Sequence, residues 1–181
     1  MAYEPILKYI KQINKPVFST RQLASISGKS LSTTTQALGK LERNGIVQKI
    51  YRGIWTEVTT HHVSPFSVIP LLFPTGRVYV SLLSALHLYG IIEQIPQVIQ
   101  LASTIHTKII RTRLAVFSIH QISSRFFIGF DWYKDSADFL IAQPEKALAD
   151  CLYISAYKGK KLRHFPELHF SRDFSFEKFN H

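Results

Sequence analysis

Cysteine is almost missing from this sequence. Cys151 is the single one in 181 residues, which excludes an intrachain disulfide and points to a reducing compartment. Long apolar runs are missing as well. The most apolar stretch, Val63 to Pro74, is interrupted by Pro65, Pro70 and Pro74 and is too short to span a bilayer. The first 20 residues carry scattered charges and no apolar h-region, so no signal peptide is expected. These absences lead to the expectation of a cytoplasmic protein with no membrane attachment. There is no internal repeat, no low-complexity run, no glycine-rich phosphate loop and no nucleophile-elbow motif. Acidic residues are scarce: 12 Asp+Glu stand against 22 Lys+Arg, a net charge of +10. Such an excess points to a polyanionic partner, nucleic acid first and an anionic membrane surface second.

What is present is enough to fold. The hydrophobic fraction is 46%, sufficient for a core and against global disorder. The charge is unevenly placed. Residues 1–60 carry nine basic side chains and three acidic ones, a balance of +6, while the remaining 121 residues carry only +4. The polyanion-binding surface is therefore expected near the N-terminus.

Ile6, Ile10 and Ile13 recur at helical spacing and predict a short first helix, ended at Lys15-Pro16 because a residue before proline avoids the helical region. Ser19 and Gln22 form a capping-box pair, with Phe18 and Leu23 at the two staple positions. They predict a second helix running to about Ser27, with Gly28 as the tight turn. A third helix is expected from near Ser32, burying Leu31, Thr34, Leu38 and Leu41, and closed by Asn44-Gly45. Residues 46–50 and 54–58 read as strands joined through Tyr51-Arg52-Gly53 as a β-hairpin. Three short helices and a hairpin in 60 residues predict a winged helix-turn-helix over 1–60, followed by a linker over 61–76.

The rest, 77–181, is expected to be a mixed α/β domain, which makes the chain α+β in class. Val78–Val80 reads as a strand, with Ser81 capping a helix from Leu82 to Tyr89 that Gly90 closes. Further strands are expected at 98–102, 114–120 and 139–142, with 125–130 as another candidate. Pro144 suits the first turn of a helix over about 145–157, which is expected to bury Leu148, Cys151 and Leu152.

In a helix-turn-helix the second helix of the pair enters the major groove. Its expected polar face consists of Ser32, Thr33, Thr35, Gln36 and Lys40. Gln36 can bond an adenine in two places and the hydroxyls read tolerantly. Lys29, Ser30 and Lys40 suit phosphates, which set register rather than sequence. Lys49, Tyr51 and Arg52 project from the hairpin towards a neighbouring phosphate or minor groove. Each residue alone is equally an ordinary solvated surface group; their combination with the capping box, glycine turn and hairpin predicts binding of double-stranded DNA.

Enzymatic readings have less behind them. His61-His62 lack a Cys or carboxylate partner at a metal-site spacing, so no metal and no cofactor is expected. Cys151 falls on a buried helix face and reads as a core residue. Asp131, Asp135 and Asp138 could hold a divalent cation, but their context reads as a polar hairpin loop. Lys146 and Asp150, four apart on one helix, are the closest carboxylate–lysine pair and read as a surface salt bridge; a nuclease-like domain delivered to DNA is the alternative they leave open.

Residues 79–91, YVSLLSALHLYGI, and 139–154, FLIAQPEKALADCLYI, resemble two motifs of the AbiEi antitoxin family, and Phe165-Pro166-Glu167-Leu168 is similar to a late motif of its shorter members. The N-terminal third fits the same order. The resemblance implies an antitoxin of a type IV toxin–antitoxin pair, tied to abortive infection by phage. It implies repression of its own operon through Ser32, Thr33, Thr35, Gln36, Lys40, Lys49 and Arg52 at its own operator. It further implies an antitoxin domain over 77–181 that opposes a nucleotidyltransferase-like toxin. Ser81, Leu86, Gly90, Pro144, Glu145, Leu148 and Asp150 then take structural roles as caps, packing residues and a helix-dipole partner. A winged-helix regulator with no toxin partner is the other reading, and the oligomeric state stays open between monomer and weak dimer.

Overall fold

A computed structural model describes residues 4–59, 63–133, 139–158, 165–172 and 174–177. The α+β expectation holds: among these residues lie six α-helices and two β-sheets. Two units separate. One runs through Pro74 and includes Thr112–Leu114; the other takes Thr75–Arg111 and the residues from Ala115 on.

In the first unit, α1 (Glu4–Ile13) buries Ile6 and Ile10. It stops where Asn14 adopts a left-handed φ of 50°, a conformation asparagine tolerates better than most residues. The two-residue strand β1 (Phe18–Ser19) leads into α2 (Thr20–Ser27). The capping box is present in full. The Gln22 backbone N–H donates to the Ser19 hydroxyl at 3.1 Å, and the Ser19 N–H donates to Gln22 Oε1 at 2.8 Å. Gly28 closes α2 at φ 65°.

The next helix is α3 (Leu31–Arg43). Ser30 is the cap, accepting from the Thr33 N–H, and the helix begins at Leu31, near Ser32 as expected. Against expectation, Leu31 is 51% exposed and does not belong to the buried face, which Thr34, Leu38 and Leu41 form. Strands β2 (Val47–Tyr51) and β3 (Ile54–Glu57) form the hairpin. Its turn is shorter than the sequence suggested. Tyr51 pairs with Ile54, leaving Arg52-Gly53 at the turn, and the register shift between Lys49 and Tyr51 is a bulge that absorbs the extra residue. β1 pairs with β3, giving the order β1-β3-β2. Ile6, Ile10, Phe18, Leu23, Leu38, Leu41, Val47 and Trp55 make one core cluster.

The expected linker is partly structured. Beyond His61-His62, which lie outside the described residues, a 3₁₀ turn (Pro65–Val68) runs into the single turn α4 (Ile69–Leu72). Val68, Ile69 and Phe73 are buried, so this segment packs instead of spanning.

The second unit is built on a six-stranded mixed sheet. Its strands are β4 (Val78–Val80), β5 (Ile99–Ser103), β6 (Lys108–Arg111), β7 (Val116–Gln121), β8 (Phe130–Trp132) and β9 (Leu140–Ala142). The spatial order is β6-β7-β5-β4-β9-β8, with β5·β7 and β4·β9 parallel. β6 was not anticipated. The candidate strand over 125–130 is instead a 3₁₀ turn (Ser124–Phe126) that leads into β8 at Phe130. Helices α5 (Leu82–Leu88) and α6 (Pro144–Lys158) accompany the sheet. Ser81 occupies the cap position of α5, but its side chain makes no capping bond. The cap comes from Gln100, whose Oε1 accepts the Leu83 N–H at 2.9 Å. In α6, Leu148 and Cys151 are buried as expected, whereas Leu152 is 52% exposed and Ala147 and Ile154 take up the core face. No helix among the described residues is long and apolar enough to cross a membrane.

Candidate nucleic-acid interface

The α2–turn–α3 segment places most of the expected polar residues on its surface. Lys29, Ser30, Ser32, Thr33, Thr35, Gln36 and Lys40 are all exposed. They divide by what their side chains already do. The Ser30 hydroxyl accepts the Thr33 N–H and lies 2.9 Å from Thr33 Oγ1. Thr35 Oγ1 donates to the Leu31 carbonyl at 2.7 Å, the back-bond typical of a threonine inside a helix. Ser30, Thr33 and Thr35 therefore serve the helix start first. The side chains of Ser32 and Gln36 make no hydrogen bond among the described residues, and both are exposed to solvent.

The hairpin is fixed to the start of α2 through Thr20. Its backbone N–H donates to the Gly53 carbonyl at 2.9 Å, and its buried hydroxyl accepts the Trp55 indole N–H at 2.9 Å. A second brace joins the hairpin to α3, where the Lys49 N–H donates to Glu42 Oε1 at 3.3 Å. The hairpin turn thus has a set position relative to both helices. Gly53 sits at φ 72°, where a side chain would be strained. Arg52 and Lys49 are exposed and Tyr51 is half-buried. The Lys49 ammonium rests 5.3 Å from the centroid of the Trp55 ring, a cation–π contact that holds it against the sheet.

One further basic residue of this unit, Arg113, lies far along the chain from the others. The Arg113 N–H donates to the Ile50 carbonyl at 3.1 Å, which joins the backbone of an exposed arginine to β2. Nothing local to Arg113 signals this, because its partner lies on a distant stretch of chain.

In the second unit, the two segments that carry the family resemblance meet at Asp150. That carboxylate is fully buried. Its Oδ2 accepts from the Tyr79 hydroxyl at 2.9 Å and the Ser81 hydroxyl at 2.7 Å, and its Oδ1 accepts from Lys146 Nζ at 2.5 Å. The expected surface salt bridge is therefore a buried ion pair, with Lys146 itself only 10% exposed. Lys146 also lies over the Phe126 ring at 5.4 Å. A β-carbon on Gly129 would come within 3.2 Å of the lysine stem. Ser81 serves this network rather than its helix cap. Burial, then the Asp150 charge and its hydrogen bond, pushes the Tyr79 hydroxyl far above its ordinary value. Burial, then Asp150, likewise raises the Cys151 thiol, which suits a packing residue.

Asp131 lies in β8 rather than in a hairpin loop, while Asp135 and Asp138 fall outside the described residues. No group of three or more His, Cys, Asp or Glu side chains is placed to hold a metal ion among the described residues. The chain matches no protein-family model, and no curated protein is significantly similar to it.

Proposed function

We propose that the first unit is a winged helix-turn-helix that binds double-stranded DNA, and that the protein represses its own operon as an antitoxin of the AbiEi kind. The observation that carries the DNA reading is the joint placement of α3 and the hairpin turn. Gln36 and Ser32 project from one and Arg52 from the other; the Lys49 N–H bond to Glu42 ties the hairpin to α3, and Thr20 ties it to α2. The α3 side chains would enter the major groove, with Gln36 reading a base edge. Lys29, Lys40 and Arg52 would meet phosphates, and Arg113 adds a further cation beside the hairpin. The charge supports the same assignment, since the first 60 residues carry +6 of the total +10.

The antitoxin part rests on the two resembling segments and on the fact that they share one buried network, Tyr79 and Ser81 with Lys146 and Asp150. The partner is then a nucleotidyltransferase-like toxin. Gln36→Ala should cost about 1–3 kcal/mol on the operator and relax preference at one base position. Arg52→Ala should weaken all sequences alike and flatten the salt dependence by about one unit of slope. Equal losses by both variants on specific and random DNA would refute the groove assignment. Co-expression with the toxin encoded beside the gene tests the second part. Restored growth is expected, and unrelieved toxicity with intact operator binding would leave a regulator without antitoxin activity.

A further inference from the structure

The second unit has a cleft of about 400 Å³ that neither the DNA interface nor the Asp150 network uses. Its walls bring together Tyr89 at the end of α5, Asp131, Trp132 and Tyr133 along and after β8, and Gln143 at the head of α6. Three of these five residues are aromatic. Trp132 is 58% exposed among the described residues, an unusual position for a tryptophan. Tyr133 is held by stacking on Phe139, with ring centroids 5.0 Å apart and planes at 21°, and by its N–H bonding to the Phe139 carbonyl.

The electrostatics of the cleft run against those of the chain. In a protein of net charge +10, no Lys, Arg or His lines it among the described residues. Asp131 does, with one carboxylate oxygen accepting the Trp132 N–H at 2.7 Å. The Tyr89 hydroxyl is raised by burial first and then by Tyr133, Asp131 and Glu145, the last two of them carboxylates. An anion would meet a carboxylate and, among the described lining residues, no counter-charge. A neutral apolar guest would leave Asp131 unused. A cation gains from both features, because aromatic rings attract positive charge and a nearby carboxylate neutralises it. The volume is also in the range of small-molecule sites.

We propose that this cleft binds a small organic ammonium ion, held against the Tyr89, Trp132 and Tyr133 rings with Asp131 as its counter-ion.

The two tryptophans make the test selective, since Trp55 and Trp132 are the only indoles in the chain. The full-length protein, ¹⁵N-labelled, is titrated with choline and with tetramethylammonium. The neutral isostere of choline, 3,3-dimethylbutan-1-ol, serves as control. The expected result is a saturable shift of the Trp132 indole N–H signal with both cations while the Trp55 signal stays in place. The neutral alcohol should bind about tenfold more weakly or worse. Asp131→Asn should weaken choline by about tenfold, and Trp132→Ala should abolish the response of neighbouring backbone amides, with unmoved amide signals of β5 and β7 in the same unit reporting that both variants are folded. The proposal is overturned if neither cation gives a saturable shift at roughly hundred-millimolar concentration, if the alcohol matches choline, or if Asp131→Asn binds choline as the wild type does.

Discussion

Replacing Thr20 by valine removes one oxygen atom and keeps the branched shape, and the structure sets what that oxygen is worth. Thr20 Oγ1 accepts the indole N–H of Trp55, a buried bond of 2.9 Å, and makes a longer 3.4 Å contact to the Gly53 carbonyl. The longer contact adds little, because the Thr20 backbone N–H already satisfies that carbonyl at 2.9 Å. The indole N–H is different: it is buried with Trp55 and has no water to turn to. An orphaned buried donor costs about 1–3 kcal/mol, so Thr20→Val should destabilise the first unit by about 2 kcal/mol. For a unit of this size that lowers Tm by roughly 8–16 °C. Tryptophan fluorescence during urea unfolding reads the change, since Trp55 is buried and Trp132 is already largely exposed. Thr20→Ser keeps the oxygen and loses only a methyl group, and it should retain more of the stability. The reasoning fails if Thr20→Val lies within about 0.5 kcal/mol of the wild type, the range of an ordinary surface substitution, or if serine is the worse replacement.

Three further outcomes follow from burial. Leu38 is fully buried in the core of the first unit; Leu38→Ala should cost about 2–5 kcal/mol, measured by the same urea titration. Tyr79 should make the protein alkali-sensitive. Its hydroxyl ionises far above its ordinary value of 10.0 when folded, so its contribution is present below about pH 10 and declines above it, with a slope approaching about 1.4 kcal/mol per pH unit. Thermal melts from neutral to alkaline pH should show that loss in the wild type and less of it in Tyr79→Phe. The raised and buried Cys151 thiol should react with a thiol reagent only after unfolding, because the thiolate is the reactive form; rapid labelling of the native protein would contradict the packing of α6.

What the sequence made legible was local. Ser19 and Gln22 sit three residues apart and find each other within one helical turn, and Gly28 and Gly45 mark chain reversals that need left-handed backbone. What stayed hidden depends on partners far along the chain. β1 is two residues long, too short to show any alternation, and exists because Phe18 and Ser19 find Trp55 and Ile54. Leu31 has the spacing of a buried residue but falls on the first position of its helix, where periodicity does not reveal what covers it. The turn is two residues long and not three because a bulge absorbs Tyr51 into its strand. Lys146 and Asp150 were visible as a pair, but only Tyr79 and Ser81, some seventy residues earlier, make Asp150 a buried centre. Arg113 was invisible for the same reason.

The most direct test of the DNA reading is fluorescence anisotropy of the purified protein on labelled duplex from upstream of its own gene, against a scrambled duplex, across a salt series. The account predicts tighter binding to the upstream duplex at every salt concentration, with log K falling linearly against log salt because binding releases condensed counterions from the phosphates, and a shallower slope for Arg52→Ala. Salt-sensitive binding that never distinguishes the two duplexes would contradict it, because the exposed Gln36 and Ser32 would then be reading nothing.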